Sequence, residues 1–133
     1  MRCLSEKKMK MRRILIVDDL QDVREMLSEI LVALGYEAQT ANDGTQALAK
    51  LESDPFDMVI SDVKMPTMDG LSLLKSVKQR SPDFPVLLIA GHQSSVSQYE
   101  AVHYRADGFL QKPFHIGQLS EAVERALKGS NGH

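Results

Sequence analysis

Asp18, Asp19, Asp62 and Lys112 are the residues of this chain best able to do chemistry together. Asp18 and Asp19 directly follow the apolar run Ile14–Val17, Asp62 follows Met58–Ser61, and Lys112 comes shortly after the brief run Phe109–Leu110. Gathered at one place, three carboxylates form a hard-oxygen site, and such ligands with room left for water suit Mg²⁺. Two unit charges about 5 Å apart repel by roughly 3 kcal/mol at an effective dielectric of about 20, so three clustered carboxylates need a cation among them. A lone Asp after a strand is explained as the cap of the next helix. That explains Asp18 or Asp19, but not the pair together with Asp62.

Several chemistries are disfavoured by the surrounding residues. Nucleotide and flavin sites cradle phosphate with a Gly- or hydroxyl-rich loop after the first strand. Here that loop reads Asp18-Asp19-Leu20-Gln21-Asp22, which repels an anionic cofactor. A hydrolase with an Asp nucleophile usually carries a second acid two residues later, and in Asp62-Val63-Lys64 that position is Lys64. The remaining option is that the protein is itself the substrate. An Asp carboxylate can attack phosphorus and become an acyl phosphate. A divalent cation would neutralise the transferred group, and Lys112 is placed to pair with its oxygens.

These residues meet only if the chain delivers the ends of its apolar runs to one edge. Ile14–Val17, Met58–Ser61 and Val86–Ala90 are continuous and β-rich, as expected of strands buried on both faces, and Glu37–Ala41 is a weaker strand. Between them, Val23, Met26, Leu27, Ile30, Leu31 and Leu34 recur at helical spacing up to a stop at Gly35. A short helix is expected over Thr45–Leu51, with Asn42 or Asp43 as its cap, and another is marked by Leu71, Leu74 and Val77. Ser95–Tyr104 has only a thin apolar stripe for a helix, and Ile116, Leu119, Val123, Ala126 and Leu127 line a final one. Such alternation implies right-handed crossovers and a doubly wound parallel α/β sheet, whose ligands sit at the carboxyl ends of the strands.

The bulk properties agree with one such domain. The chain has 133 residues, 43% of them hydrophobic and 26% charged, with a net charge of −2. That balance suits one core and makes nucleic acid no default partner. Cys3 is the single cysteine, so no intrachain disulfide can form, which fits a reducing, cytoplasmic setting. The longest apolar runs, such as Val86–Ala90, are far short of a membrane span or a signal-peptide core. Residues 1–12 form a basic arm, and Gly129–His133 reads as a polar tail or the start of a linker.

The stretches Ile14–Asp19, Asp62-Val63-Lys64-Met65-Pro66-Thr67-Met68-Asp69-Gly70 and Ala106–Phe114 closely resemble the receiver domain of two-component response regulators. The resemblance runs from about Arg13 to Leu127, and a domain over 13–128 is expected. It implies a flavodoxin-like (βα)5 fold with five parallel strands in the order 2-1-3-4-5. It also implies that Asp62 is the phosphoacceptor. Mg²⁺, with Mn²⁺ as its substitute, would be held by Asp62, by Asp19 directly, by Asp18 largely through water, and by the backbone carbonyl of Lys64. Lys112 and the backbone N–H of Gly91 would contact the phosphoryl group. The Lys112–Pro113 bond is expected to be cis, Phe109 to be the aromatic switch, and Met65, Pro66 and Gly70 to shape the loop after Asp62. The phosphodonor would be a histidine kinase or a His-containing phosphotransfer protein. The chain would be a signalling protein that changes only its own phosphorylation, not an enzyme acting on other substrates. It would signal through a downstream partner or an output domain lying elsewhere, and a weak homodimer through the last two helices is an alternative. Neither nucleic acid nor membrane is an expected partner of this domain.

Two positions depart from the family pattern. Ala90 stands where Thr or Ser usually offers a hydroxyl to the phosphoryl group, so the coupling of that hydroxyl to Phe109 lacks one partner. Arg105 stands where Gly often ends the fourth helix, and with the thin stripe of Ser95–Tyr104 this predicts a mobile or unusually placed helix. Ala90 also supports the rival reading of a receiver-like binding module that works without phosphorylation.

Overall fold

Runs with no polar alternation cannot face water on either side, and they form the centre of the sheet. A computed structural model describes residues 11–65, 68–91 and 105–130. Its strands are β1 (Arg13–Val17), β2 (Glu37–Ala41), β3 (Met58–Asp62), β4 (Val86–Ala90) and β5 (Gly108–Gln111). They make one five-stranded sheet in the order β2-β1-β3-β4-β5, and every neighbouring pair is parallel. The apolar strands β1, β3 and β4 are central, while β2 alternates exposed and half-buried residues as an edge strand should.

Four helices lie among the described residues: α1 (Gln21–Ala33), α2 (Gly44–Ser53), α3 (Gly70–Arg80) and α4 (Ile116–Ser130). Alternate strand residues point to opposite faces and recruit different helices. Ile14, Ile16, Ile60, Leu87 and Ile89 pack with Leu27 and Leu31 of α1 and Leu119 and Val123 of α4. Leu15, Val17, Val59 and Leu88 pack with Ala47 of α2 and Leu73, Leu74 and Val77 of α3. No helix of the described residues is long and apolar enough to cross a membrane.

The helix ends follow local chemistry. The α1 helix closes with Gly35 at φ 99°, while the N–H groups of Gly35 and Tyr36 donate to the carbonyls of Val32 and Leu31 at 3.0 Å each. That is the Schellman arrangement, and its left-handed residue favours glycine. Asp43, not Asn42, caps α2 by accepting from the Gln46 N–H at 2.8 Å, and Gln46 Oε1 accepts from the Asn42 N–H. This reciprocal pairing starts the helix at Gly44, one residue before the expected Thr45. Asp69 caps α3 through the Ser72 N–H.

The α4 helix continues through Gly129 to Ser130, two residues past the expected boundary at 128. Glycine lowers helix stability by about 1 kcal/mol without ending a helix, so it is a weak stop signal. Arg105 has φ 73°, in the left-handed region where Gly is at ease. The expected helix Ser95–Tyr104 lies outside the described residues, as do the arm before residue 11 and the last three residues.

Candidate functional site

Register alone brings the predicted residues to one edge. Val17 pairs with Ala41 and Ser61, Asp62 pairs with Ile89, and Ala90 pairs with Gln111. Asp18 and Asp62 therefore emerge from the neighbouring strands β1 and β3, and Lys112 follows β5 on the far side of β4, all at the same carboxyl edge. One carboxylate oxygen from each of Asp18, Asp19 and Asp62 lies within 4.8 Å of the others. Lys112 Nζ stands 3.8 Å from Asp62 Oδ1. The Lys112–Pro113 peptide bond is cis.

Each carboxylate is held differently. Asp18 is 2% exposed; its N–H donates to the Ala41 carbonyl and its Oδ1 accepts from the Leu20 N–H at 3.0 Å. Asp19 is exposed and Asp62 half-buried. The Asp62 carboxyl is raised from 3.8 to about 6, first by burial and then by the Asp18 charge; Lys112 opposes the rise and Asp19 adds to it. Burial also raises Asp18, against the Leu20 hydrogen bond and the charge of Lys112. Asp18 and Asp62, both raised by burial, converge with Asp19 into a set of hard oxygen donors, and such a set fits Mg²⁺.

The loop after Asp62 folds back over its own strand. Ser61 Oγ donates to the Asp62 carbonyl at 2.9 Å, and the Gly70 N–H donates to the Val63 carbonyl at 2.7 Å. A Cβ at Gly70 would collide with the Asp62 carbonyl oxygen and the Val63 backbone, so only glycine permits this approach. Lys64 is exposed on this loop and Met65 is buried. Met68 packs where a Cβ on Gly44 would stand, which joins the loop to the start of α2. Pro66 lies outside the described residues.

Ala90 is 1% exposed at the end of β4, and its carbonyl accepts from the Lys112 N–H at 2.8 Å. Its methyl belongs to the buried apolar cluster with Leu88 and Val63. Gly91 follows it, half-buried, and a Cβ there would meet nothing within 4 Å. Phe109 packs against the apolar cluster that contains Ala90.

Two features escaped the sequence reading. Arg24 Nη1 donates to the Asp18 carbonyl at 2.7 Å; on the polar side of an amphipathic helix, an Arg reads as solvated. At the opposite edge of the sheet, Lys78 is 8% exposed and its Nζ bonds the Phe84 carbonyl and Asp107 Oδ2 at 2.7 Å each. Beside the acidic cluster, a groove of about 850 Å³ runs between α1 and residues 112–117. Met26, Ile30, Pro113, Phe114 and Ile116 line it, with Lys112 at its border.

The response regulator receiver domain family matches residues 14–124. The DNA-binding transcriptional regulator NtrC of Salmonella typhimurium is 38% identical over 112 residues, covering 84% of this chain and 24% of that protein. A receiver domain protein of Clostridium thermocellum superposes with a TM-score of 0.85 at 28% identity, covering 91% of this chain and 98% of that one. Chemotaxis protein CheY4 of Vibrio cholerae superposes with a TM-score of 0.80 at 38% identity, covering 88% and 99%. The chain thus spans about a quarter of the NtrC-type relatives and nearly the whole of the single-domain neighbours.

Proposed function

The chain belongs to the response regulator receiver domain family, and on that premise we propose that it is a Mg²⁺-dependent phosphoacceptor whose nucleophile is Asp62. The observation that carries this reading is the convergence of Asp18, Asp19 and Asp62 within 4.8 Å, with the Lys112 ammonium 3.8 Å from Asp62.

An oxygen of Asp62 attacks the phosphorus of a phosphohistidine on a kinase or phosphotransfer protein. The P–N bond breaks, its electron pair stays on the imidazole nitrogen, and Asp62 becomes an acyl phosphate. Asp19, Asp62 and the Lys64 carbonyl would hold Mg²⁺, with Asp18 acting largely through water, and Mn²⁺ would serve in its place. When bound, the ion supplies charge against that of the transferred group. Lys112 pairs with a phosphoryl oxygen, and the Gly91 N–H is available for another.

Phosphorylation at this edge adds charge and would act on the surface beyond β4 and β5. With Ala90 in the hydroxyl position, the active arrangement lacks one charge-assisted hydrogen bond, worth roughly 1.5–3 kcal/mol. The signal therefore rests on Lys112, Gly91 and the loop after Asp62 more than on the usual partner of Phe109. Output would come through a downstream protein or through a further module, as in the longer regulators this chain resembles.

Ala90 also favours a second reading, a binding module independent of phosphorylation. Incubation with acetyl phosphate and Mg²⁺, read by intact mass, separates the two. The phosphoacceptor gains one phosphoryl group, gains none when EDTA is present from the start, and gains none as Asp62→Asn. An unchanged mass of the unmodified protein rejects the proposal and leaves the binding module.

A further inference from the structure

The α1 helix starts without a side-chain cap. Leu20 occupies the N-cap and makes no side-chain hydrogen bond, where Ser, Thr, Asp or Asn usually stands. The connection is closed from both directions instead. Asp18 Oδ1 accepts from the Leu20 N–H at 3.0 Å. Arg24, inside the first turns of the helix, reaches back six residues and donates from Nη1 to the Asp18 carbonyl at 2.7 Å.

Arg24 donates to that carbonyl from within the helix. Among the described residues no carboxylate forms a salt bridge with it, and its neighbour Glu25 accepts from Gln21 Nε2 at 2.8 Å. Arg24 is half-buried, and its guanidinium bonds the peptide group that joins Asp18 to Asp19. That peptide sets the relative direction of the two side chains. A peptide free to rotate would let the exposed Asp19 swing away from Asp18 and Asp62.

We infer that Arg24 is a positioning residue for the acidic site: its hydrogen bond to the Asp18 carbonyl orients the Asp18–Asp19 pair for cation binding. The inference rests on the reading that this cluster binds Mg²⁺. Groups that orient metal ligands through a hydrogen bond typically account for about 10–100-fold in metal affinity.

The test is calorimetric titration of the full chain with Mg²⁺ alone. Arg24→Met keeps the aliphatic stem and removes the donor, while Arg24→Lys keeps a donor and the charge. Arg24→Met is expected to weaken Mg²⁺ binding by about tenfold, at the lower end of that range, and Arg24→Lys to recover most of the loss. The melting temperature of Arg24→Met in EDTA should stay close to that of the unmodified protein. Its phosphorylation by acetyl phosphate should return to the unmodified rate when Mg²⁺ is raised to saturation. Equal Mg²⁺ affinity in all three proteins overturns the inference while leaving the phosphoacceptor reading intact. An affinity loss matched by a fall in melting temperature in EDTA also overturns it, because Arg24 would then be structural only. No Mg²⁺ binding by the unmodified protein sinks both.

Discussion

As the proposed phosphoacceptor, Asp62 would carry opposing demands: shielded enough to react selectively and ionised enough to attack. Its carboxyl, raised from 3.8 to about 6, lies chiefly under the influence of burial and of Asp18. The folded protein therefore holds this proton more tightly than the unfolded chain does. Without a cation, the contribution of Asp62 to stability is greatest below about pH 4, falls as pH rises through about 6, and is level above that, a loss on the order of 3 kcal/mol. Mg²⁺ binds the ionised carboxylates and competes with the proton. The rise in melting temperature given by Mg²⁺ should thus be large at about pH 7.5 and small at about pH 5, with affinity nearly level down to about pH 6 and falling toward tenfold per pH unit below it. Asp62→Asn should stabilise the metal-free protein by about 1–3 kcal/mol at neutral pH and abolish most of the Mg²⁺ response. Thermal melts over pH with and without Mg²⁺ measure both. A pH-independent Mg²⁺ response would show that Asp62 is not among the ligands.

Elements show which parts of this architecture were legible in the sequence. Ile14–Val17, Met58–Ser61 and Val86–Ala90 announce themselves because a strand covered on both faces has no polar alternation, and their acidic or small successors mark the functional edge. The site residues Asp18, Asp19, Asp62 and Lys112 could be named because they sit at strand ends, where topology alone gathers them. Arg24 could not, since its partner is a main-chain carbonyl, which no side-chain pattern encodes. The clasp of Lys78 on Asp107 was equally hidden: its members are 29 residues apart on different elements. Lys78 Nζ also bonds the Phe84 carbonyl, and Asp107 Oδ2 accepts from the Val86 N–H at 2.9 Å, so the pair ties the end of α3 to the starts of β4 and β5. Asp107→Ala strips a buried ammonium of its carboxylate and should destabilise by about 2–4 kcal/mol, read by urea denaturation. Nearby, Arg105 at φ 73° occupies a conformation that costs a non-glycine residue roughly 1–2 kcal/mol. Glycine recovers that strain but adds freedom to the unfolded chain, so Arg105→Gly should gain at most about 1 kcal/mol. A destabilised Arg105→Gly would mean that the Arg side chain contributes contacts worth more than its backbone strain.

On the proposed function, the whole molecule would present the acidic edge to two kinds of donor, and they need different surfaces. A small donor such as acetyl phosphate has only to enter the pocket. A phosphohistidine arrives on a protein, and its carrier must rest on something while the imidazole reaches Asp62. The groove between α1 and residues 112–117 adjoins the pocket through Lys112. Its lining includes the exposed apolar residues Met26 and Ile116, at 46% and 55% exposure. Exposed apolar groups so close to a charged site are suited to burial under a partner. A negative charge at Ile116 would be trapped in such an interface, where truncating a central contact alone costs about 1–2 kcal/mol and an unpaired charge adds to that. Ile116→Glu should therefore slow transfer from a histidine phosphotransfer protein by about tenfold or more while leaving acetyl phosphate labelling unchanged. Parallel time courses with the two donors measure the difference. Equal slowing with both would place the damage in the pocket, and no slowing with either would place the carrier on another face. Selective loss with the protein donor would tie the apolar groove to the arrival of the phosphoryl group, and the acidic cluster to its capture.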